Sequence, residues 1–121
     1  KAFLFGGTIC AVGQFFRNVY ENFGMGKELT GSAVSVTMIF LGVLLTGLNI
    51  YPKLAKHAGA GTLVPITGFA NAVVSPAIDT KSEGYIFGVG AKIFTIAGPV
   101  IVYGVLASVI AGAWYWVLSI I

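Results

Sequence analysis

A run of 23 consecutive residues without a charged side chain, residues 29–51, most constrains how this chain can fold. A second uncharged run of the same length covers residues 99–121. A helix needs about 20 apolar residues to cross the hydrocarbon core of a bilayer. In lipid the backbone must satisfy its own hydrogen bonds, which a helix does within one segment. Both runs therefore predict membrane-spanning helices, and the chain is expected to be all-α.

Charged residues are scarce over the whole chain, at 9% of its 121 positions. An ordinary soluble domain carries about 25%. A chain this short has a large surface for its volume, and seven Lys and Arg with four Asp and Glu cannot cover it. We therefore expect a polytopic integral membrane protein, with residues 1–121 as a single membrane domain in the lipid bilayer. Nucleic-acid binding is not indicated by the net charge of +3, because the cations are scattered.

Two further apolar stretches are too short or too interrupted to cross a membrane simply. Residues 2–16 reach far enough only if residues 18–23 continue the helix and Arg17 snorkels. Residues 58–78 contain three glycines and two prolines. Irregular backbone at membrane depth survives only when it is buried in protein or lines a cavity. We therefore expect a broken, glycine-rich start followed by a short helix over residues 66–78.

The last part of the chain predicts a half-helix followed by the second span. Residues 85–97 are apolar with one charge, and a Gly-Pro pair at 98–99 is expected to break the helix there. Residues 53–57 are interpreted as a short basic connector, and residues 79–84 as a polar loop. We expect four or five helical elements in all, including broken or re-entrant half-helices.

The positions of the cations predict an orientation in the membrane. Lys1 precedes the first element, and Lys53 and Lys56 follow the second, so two crossings place all three on one side. The loop between the crossings holds Arg17 and Lys27. The side with more Lys and Arg stays in the cytoplasm. Three cations against two therefore favour a cytoplasmic N-terminus.

Enzymatic chemistry has little support in this sequence. The single histidine, His57, and the single cysteine, Cys10, fall in different elements. No pair of His, Cys or carboxylate residues has metal-ligand spacing, and no acid–base pair shares an apolar segment. Gly59 and Gly61 are not followed by the Gly-Lys-Ser/Thr of a phosphate loop. We expect no catalytic residue, no metal site and no cofactor.

Lys92 is the most informative charge, because it lies within the apolar stretch 85–97. A cation at membrane depth is costly and usually faces a bundle interior or a water-filled path. On that interpretation Lys92 belongs to an anion-attracting path. On the alternative interpretation it snorkels to the headgroups from a helix lying at the interface. The sequence leaves both open.

Three polar residues recur at every fourth position of the predicted short helix: Thr67, Asn71 and Ser75. They share one face of that helix. They could line a polar path or hydrogen-bond a neighbouring helix, and both interpretations stay open. The broken start before them would place a half-helix N-terminus, which suits an anion, near the membrane interior. Four residues of that start therefore join the path candidates: Gly59, Gly61, Thr62 and Pro65.

Four blocks of the chain resemble one family in the same order. They are residues 58–71 (AGAGTLVPITGFAN), 5–14 (FGGTICAVGQ), 81–90 (KSEGYIFGVG) and 98–104 (GPVIVYG). The match covers nearly the whole chain, which resembles the SpoVA membrane proteins of spore-forming bacteria. Within that family, the Ser-Glu-Gly block and the Phe-Ala-Asn ending resemble the AC type more than the shorter AE-type sibling.

The resemblance implies a function that neither the composition of the chain nor the spacing of its residues indicates. It implies a channel subunit for uptake and release of dipicolinic acid, with calcium, across the inner membrane of the forespore and spore, with a response to membrane tension. It also implies two partners, the AE-type membrane sibling and a soluble AD-type subunit. One chain has too few helices to enclose a path, so a homo- or hetero-oligomer is expected. The competing hypothesis is a structural subunit that scaffolds or recruits partners without conducting.

Overall fold

The computed structural model describes residues 1–120 as six α-helices. They are α1 (Ala2–Asn22), α2 (Lys27–Gly47), α3 (Tyr51–Ala58), α4 (Ala60–Leu63), α5 (Ile66–Asp79) and α6 (Ala91–Ile120). A 3-10 turn at Lys81–Glu83 and a π-helical turn at Tyr85–Gly90 lead into α6. The all-α class is confirmed, but the expected four or five helical elements were too few. Ile121, the last residue of the second predicted span, lies outside the described residues.

Two helical segments are long and apolar enough to cross a membrane, Lys27–Gly47 and Tyr85–Ile120. The first of them ends four residues before the predicted limit at Tyr51. Asn49 adopts φ 58° there, and the amides of Asn49 and Ile50 donate to the carbonyls of Thr46 and Leu45, both at 2.9 Å. This is a Schellman closure, in which a left-handed residue ends the helix. Asn tolerates that conformation better than most residues, because its side chain is short and polar.

The first two helices form an antiparallel hairpin. Gly24 closes α1 with φ 80°, and the amide of Met25 donates to the Tyr20 carbonyl at 3.3 Å. The hydroxyls of Tyr20 and Thr37 lie 2.7 Å apart across the pair. Helix α1 does continue through residues 18–22, as the sequence allowed, and Arg17 pairs there with Glu21 at 3.0 Å.

The segment interpreted as a basic connector is a helix, α3. Pro52 lies in its first turn, where its missing N–H has no helical partner to lose. Tyr51 and Ala58 are buried, while Lys53, Lys56 and His57 are exposed. The connector interpretation was wrong. It rested on the charged residues and overlooked the apolar side of this short helix, which packs against the rest of the protein. Gly59, with φ 54°, then turns the chain into α4.

Helix α5 confirms the predicted short helix over residues 66–78 and packs most extensively against α2. The two run parallel, because Gly42 meets Thr67 near the start of α5 and Thr46 meets Asn71 one turn later. A Cβ on Gly42 would stand 3.1 Å from the Cα of Thr67, so glycine permits this close approach. Since Thr67 lies beside Gly42 and not beyond Gly47, α5 begins within the length of α2. The segment before α5 is interrupted twice, because α3 ends at Gly59 and the four-residue helix α4 ends before the extended Pro65.

The expected break at residues 98–99 does not occur, because α6 continues through Pro99. Proline removes one backbone donor and crowds the carbonyl four residues earlier, but the other helical bonds persist. Pro99 is exposed, so its ring displaces no packed neighbour. Only Tyr85–Gly90, with its π-helical turn, interrupts the regular geometry before α6. Every described residue from Pro99 onward is exposed, so this part of α6 presents apolar side chains on all sides.

Candidate functional site

A buried tyrosine joins the three helices that follow α2. Tyr51 is 2% exposed, and its hydroxyl donates to the carbonyl oxygen of Thr62 at 2.9 Å. The same hydroxyl lies 2.8 Å from Oγ1 of Thr67. Since a carbonyl can only accept, the Tyr51 proton goes to Thr62 and the Thr67 hydroxyl donates to the phenolic oxygen. This hydroxyl cluster ties the start of α3 to α4 and to the first turn of α5.

The broken segment before α5 is packed tightly against its surroundings. The Thr62 hydroxyl donates to the Gly59 carbonyl at 3.0 Å, and Thr62 is buried. A Cβ on Gly61 would collide with the backbone of Ala2 in α1, and one on Gly68 would collide with the carbonyl of Thr62. Close backbone contact therefore excludes any side chain at these two glycines.

Pro65 begins α5 in an extended conformation, with φ −66° and ψ 156°. Its carbonyl accepts the amide of Gly68 at 2.8 Å, and Pro65 itself is half-buried. The N-terminus of α5 thus faces the α4 turn, with the carbonyls of Thr62 and Leu63 against Gly68. The four candidates of the broken start therefore act in this structure as packing and turn residues.

The polar stripe of α5 faces α2 and α3. Thr67 contacts Tyr51, as described, and Oδ1 of Asn71 lies 3.0 Å from the Thr46 hydroxyl. The single proton of the Thr46 hydroxyl has two acceptors in reach, this Oδ1 and the Gly42 carbonyl at 2.6 Å. Ser75 makes no such contact across helices and lines a cavity instead. Two members of the stripe thus bond neighbouring helices, and the third faces open space.

That cavity, of about 260 Å³, lies where α2 and α5 both end, and we call it the α2–α5 cavity. Its lining mixes polar and apolar residues: Thr46, Gly47, Asn49, Pro52, Ser75, Ile78 and Asp79. The C-terminal carbonyls of a helix carry partial negative charge. Together with the Asp79 carboxylate, two such helix ends make this cavity attractive to cations.

Lys92 is the second residue of α6, is exposed, and does not line the α2–α5 cavity. The structure does not bring it together with the polar stripe. Helix α6 has 30 residues, which corresponds to about 45 Å at 1.5 Å per residue. The hydrocarbon core is about 30 Å thick. If the C-terminal part of α6 spans that core, Lys92 lies near its edge.

Sequence reasoning missed the partners that complete this site, Tyr51, Thr46 and Asp79. Tyr51 was interpreted as the end of a span, and Asp79 as part of a loop. One available signal was Asn49, a residue that accepts a left-handed conformation two positions before the Tyr51-Pro52 pair. A helix that ends at Asn49 predicts that the chain turns there and that Tyr51 packs against the protein. For Thr46, nothing in the sequence specifies the neighbour of its hydroxyl.

Comparisons with known proteins give a consistent result. The model of one sequence family, described as "SpoVAC/SpoVAEB sporulation membrane protein", matches residues 1–114. The chain is also 47% identical over 113 residues to stage V sporulation protein AC of Bacillus subtilis (strain 168). That alignment covers 93% of this chain and 75% of the relative. No solved structure matches the chain.

Proposed function

This chain belongs to the SpoVAC/SpoVAEB family of sporulation membrane proteins, and from that premise we propose that it is a channel subunit for dipicolinic acid. It would carry the acid with calcium across the inner membrane of the forespore and spore, inward during sporulation and outward during germination. Its partners would be the AE-type membrane sibling and the soluble AD-type subunit. Since the described helices cannot enclose a path alone, a homo- or hetero-oligomer would complete the pore.

The observation that supports conduction is the polar row between two parallel helices, α2 and α5. The row runs from Thr67 past the Thr46–Asn71 contact to Ser75 and the α2–α5 cavity. Polar groups at membrane depth usually mark a substrate path or a helix contact. Because α5 begins within the length of α2, the row starts inside the apolar layer.

The charges at the α2–α5 cavity support transport of the acid together with calcium. Dipicolinate is an aromatic dianion, which the Asp79 carboxylate and the two helix ends repel. A calcium ion neutralises the dianion and takes oxygen ligands such as carboxylates, amide carbonyls and water. The cavity offers such oxygens from Asp79, Asn49 and Ser75. A neutral calcium complex therefore suits this end of the row better than the free dianion.

Reconstitution into liposomes tests the proposal. Vesicles loaded with calcium dipicolinate should release it when the protein is present, with a higher rate under osmotic stretch or with the two partner subunits. Ser75→Val should slow release severalfold, because it removes a polar group from the cavity wall. Ser32→Val is the matched control, since Ser32 is exposed at the opposite end of α2. Vesicles that stay tight under every one of these conditions would contradict conduction.

A second variant separates the calcium requirement from conduction itself. Asp79→Asn removes the carboxylate while keeping the size of the side chain. The preference for calcium dipicolinate over the sodium salt should fall in this variant, whereas Glu83→Gln, in the adjoining turn, should leave it unchanged. An unaltered preference in Asp79→Asn would remove Asp79 from the path.

One observation favours the competing function of a non-conducting scaffold. Helix α6 exposes apolar side chains on all sides from Pro99 onward, including Trp114 and Trp116. A helix that is apolar all round is covered by lipid or by other protein. A scaffold would use this surface to hold partners while another protein conducts. Tight vesicles combined with retention of the AE-type or AD-type subunit on the purified chain would support this function instead.

A further inference from the structure

An open concavity with a basic rim lies between the start of α1 and helix α3. Its volume is about 510 Å³, and we call it the α1–α3 concavity. Three of its residues are apolar and three are basic: Phe5, Ile50, Leu54, Lys1, Lys53 and His57. It is separate from the α2–α5 cavity, since the two share no lining residue. The proposed conduction path makes no use of it.

The geometry of α3 directs two basic side chains to the same place. Lys53 and His57 are four residues apart, so they lie one above the other on one face of the helix. Nδ1 of His57 lies 3.0 Å from the Lys53 carbonyl oxygen. A carbonyl only accepts, so Nδ1 carries the proton and the ring is held in place. Lys56 belongs to the same helix but does not line the concavity.

The position of the concavity relates it to the membrane surface. Ile50 and Lys53 follow directly after α2, one of the two segments apolar enough to span. Lipid phosphates lie at the ends of such a helix. Basic pockets between helices at that level bind anionic headgroups, and each Lys or Arg near the surface strengthens the attraction. The apolar residues Phe5, Ile50 and Leu54 lie beside the cations, so a ligand with an anionic head and an apolar tail matches the whole lining.

We propose that the α1–α3 concavity binds one anionic phospholipid. The phosphate would lie among Lys1, Lys53 and His57, and an acyl chain would cover Phe5, Ile50 and Leu54. A free inorganic anion fits less well, because it would leave the apolar part exposed and would meet only solvated cations. The inference extends the proposed function and rests on it in one respect only, that α2 crosses the membrane. It requires no conduction.

Native mass spectrometry of the detergent-solubilised protein, titrated with phosphatidylglycerol, tests this site. We expect one tightly retained lipid, with an affinity reduced about fivefold by Lys53→Gln, the effect of one surface cation. His57→Gln should weaken retention as well. Lys56→Gln is the matched control and should change the affinity less than twofold. Far-ultraviolet circular dichroism establishes that each variant keeps its helix content, which is expected because all three side chains are exposed.

Three results would overturn the assignment. One is equal retention of zwitterionic phosphatidylcholine, and another is an equal loss of affinity in Lys53→Gln and Lys56→Gln. The third is displacement of the lipid by millimolar inorganic phosphate, which would assign the site to a free anion. A protein that retains phosphatidylglycerol but forms tight vesicles would contradict conduction and leave this site standing. The failures of the two proposals are therefore distinguishable.

Discussion

Buried hydroxyl groups in this chain are held by specific protein partners. Tyr51, Thr62, Thr67 and Thr46 are all buried, and each hydroxyl has a hydrogen-bond partner. Leaving a buried polar group unpaired costs about 1–3 kcal/mol. Tyr51 matters most, because its one hydroxyl serves the Thr62 carbonyl and the Thr67 hydroxyl together.

Tyr51→Phe should therefore lower the stability of the folded chain. The ring still fills its space, but the Thr62 carbonyl and the Thr67 hydroxyl lose their shared partner. We expect a loss of about 1–2 kcal/mol in unfolding free energy, measured by circular dichroism during SDS titration in mixed micelles. Tyr20→Phe is the matched control. Its partner Thr37 keeps a bond to the Ala33 carbonyl at 2.9 Å, so the loss there should be smaller.

Lys92 provides the residue-scale test of anion attraction. If the path opens beside the first turns of α6, Lys92→Gln should reduce dipicolinate flux in liposomes about fivefold, the effect of removing one cation near the membrane surface. Lys81→Gln is the control, because Lys81 lies in the turn before α6 and carries the same charge. Unchanged flux in Lys92→Gln would leave the snorkelling interpretation as the correct one.

At the scale of elements, close backbone contacts decide where the helices meet. Gly42 allows α2 to approach α5, and Gly68 allows the first turn of α5 to approach α4. Small residues have this role throughout membrane proteins, where packing substitutes for the hydrophobic effect. Gly47 also belongs to α2, but it has open space around it. A glycine in this helix is therefore required only where another helix approaches it closely.

Gly68→Ala should disrupt the junction of α4 and α5. The added methyl group would stand 2.8 Å from the Leu63 carbonyl oxygen and collide with that of Thr62. Overpacking of this kind costs about 1–3 kcal/mol, which should appear as a lower apparent melting temperature in detergent. Gly47→Ala makes the same chemical change in open space and should be neutral or slightly stabilising. Equal melting temperatures for the two variants would contradict the close approach at Gly68.

For the whole molecule, the positions of the cations bear on orientation. Lys1 and Lys53 line the same concavity, so the start of α1 and the residues that follow α2 lie at one end of the α1–α2 hairpin. The mouth of the α2–α5 cavity, marked by Asn49 and Pro52, lies near the same end. The cation count predicts that this end faces the cytoplasm.

Cysteine labelling measures this orientation directly. Lys53→Cys, in a background in which Cys10 is replaced by serine, should react with a membrane-impermeant maleimide only after intact cells are permeabilised. Lys53 is exposed, so access of the reagent is limited by the membrane and not by the fold. Met25→Cys, in the turn at the opposite end of the α1–α2 hairpin, should react without permeabilisation. The reverse pattern would invert the assigned orientation.

Much of the fold was predictable from local signals. Uncharged runs indicated the two spanning segments, and Gly59 with Pro65 indicated the broken start of α5, because lipid and backbone sterics act on a few consecutive residues. The common face of Thr67, Asn71 and Ser75 followed from helical periodicity alone. Whether the helix would end at Pro99 or continue through it could not be predicted in this way. A proline can end a helix or merely remove one of its bonds, and the surrounding space decides which.

By itself the sequence determined that the chain is helical, that two of its segments suit a membrane and that one helix carries a polar face. Those properties depend on residue type and spacing. Only the tertiary structure decided that α5 lies parallel to α2, that Tyr51 returns to bond Thr62 and Thr67, and that Ser75 and Asp79 meet around one cavity. Contacts between distant residues depend on where the turns at Asn49 and Gly59 direct the chain, and no local pattern specifies those directions.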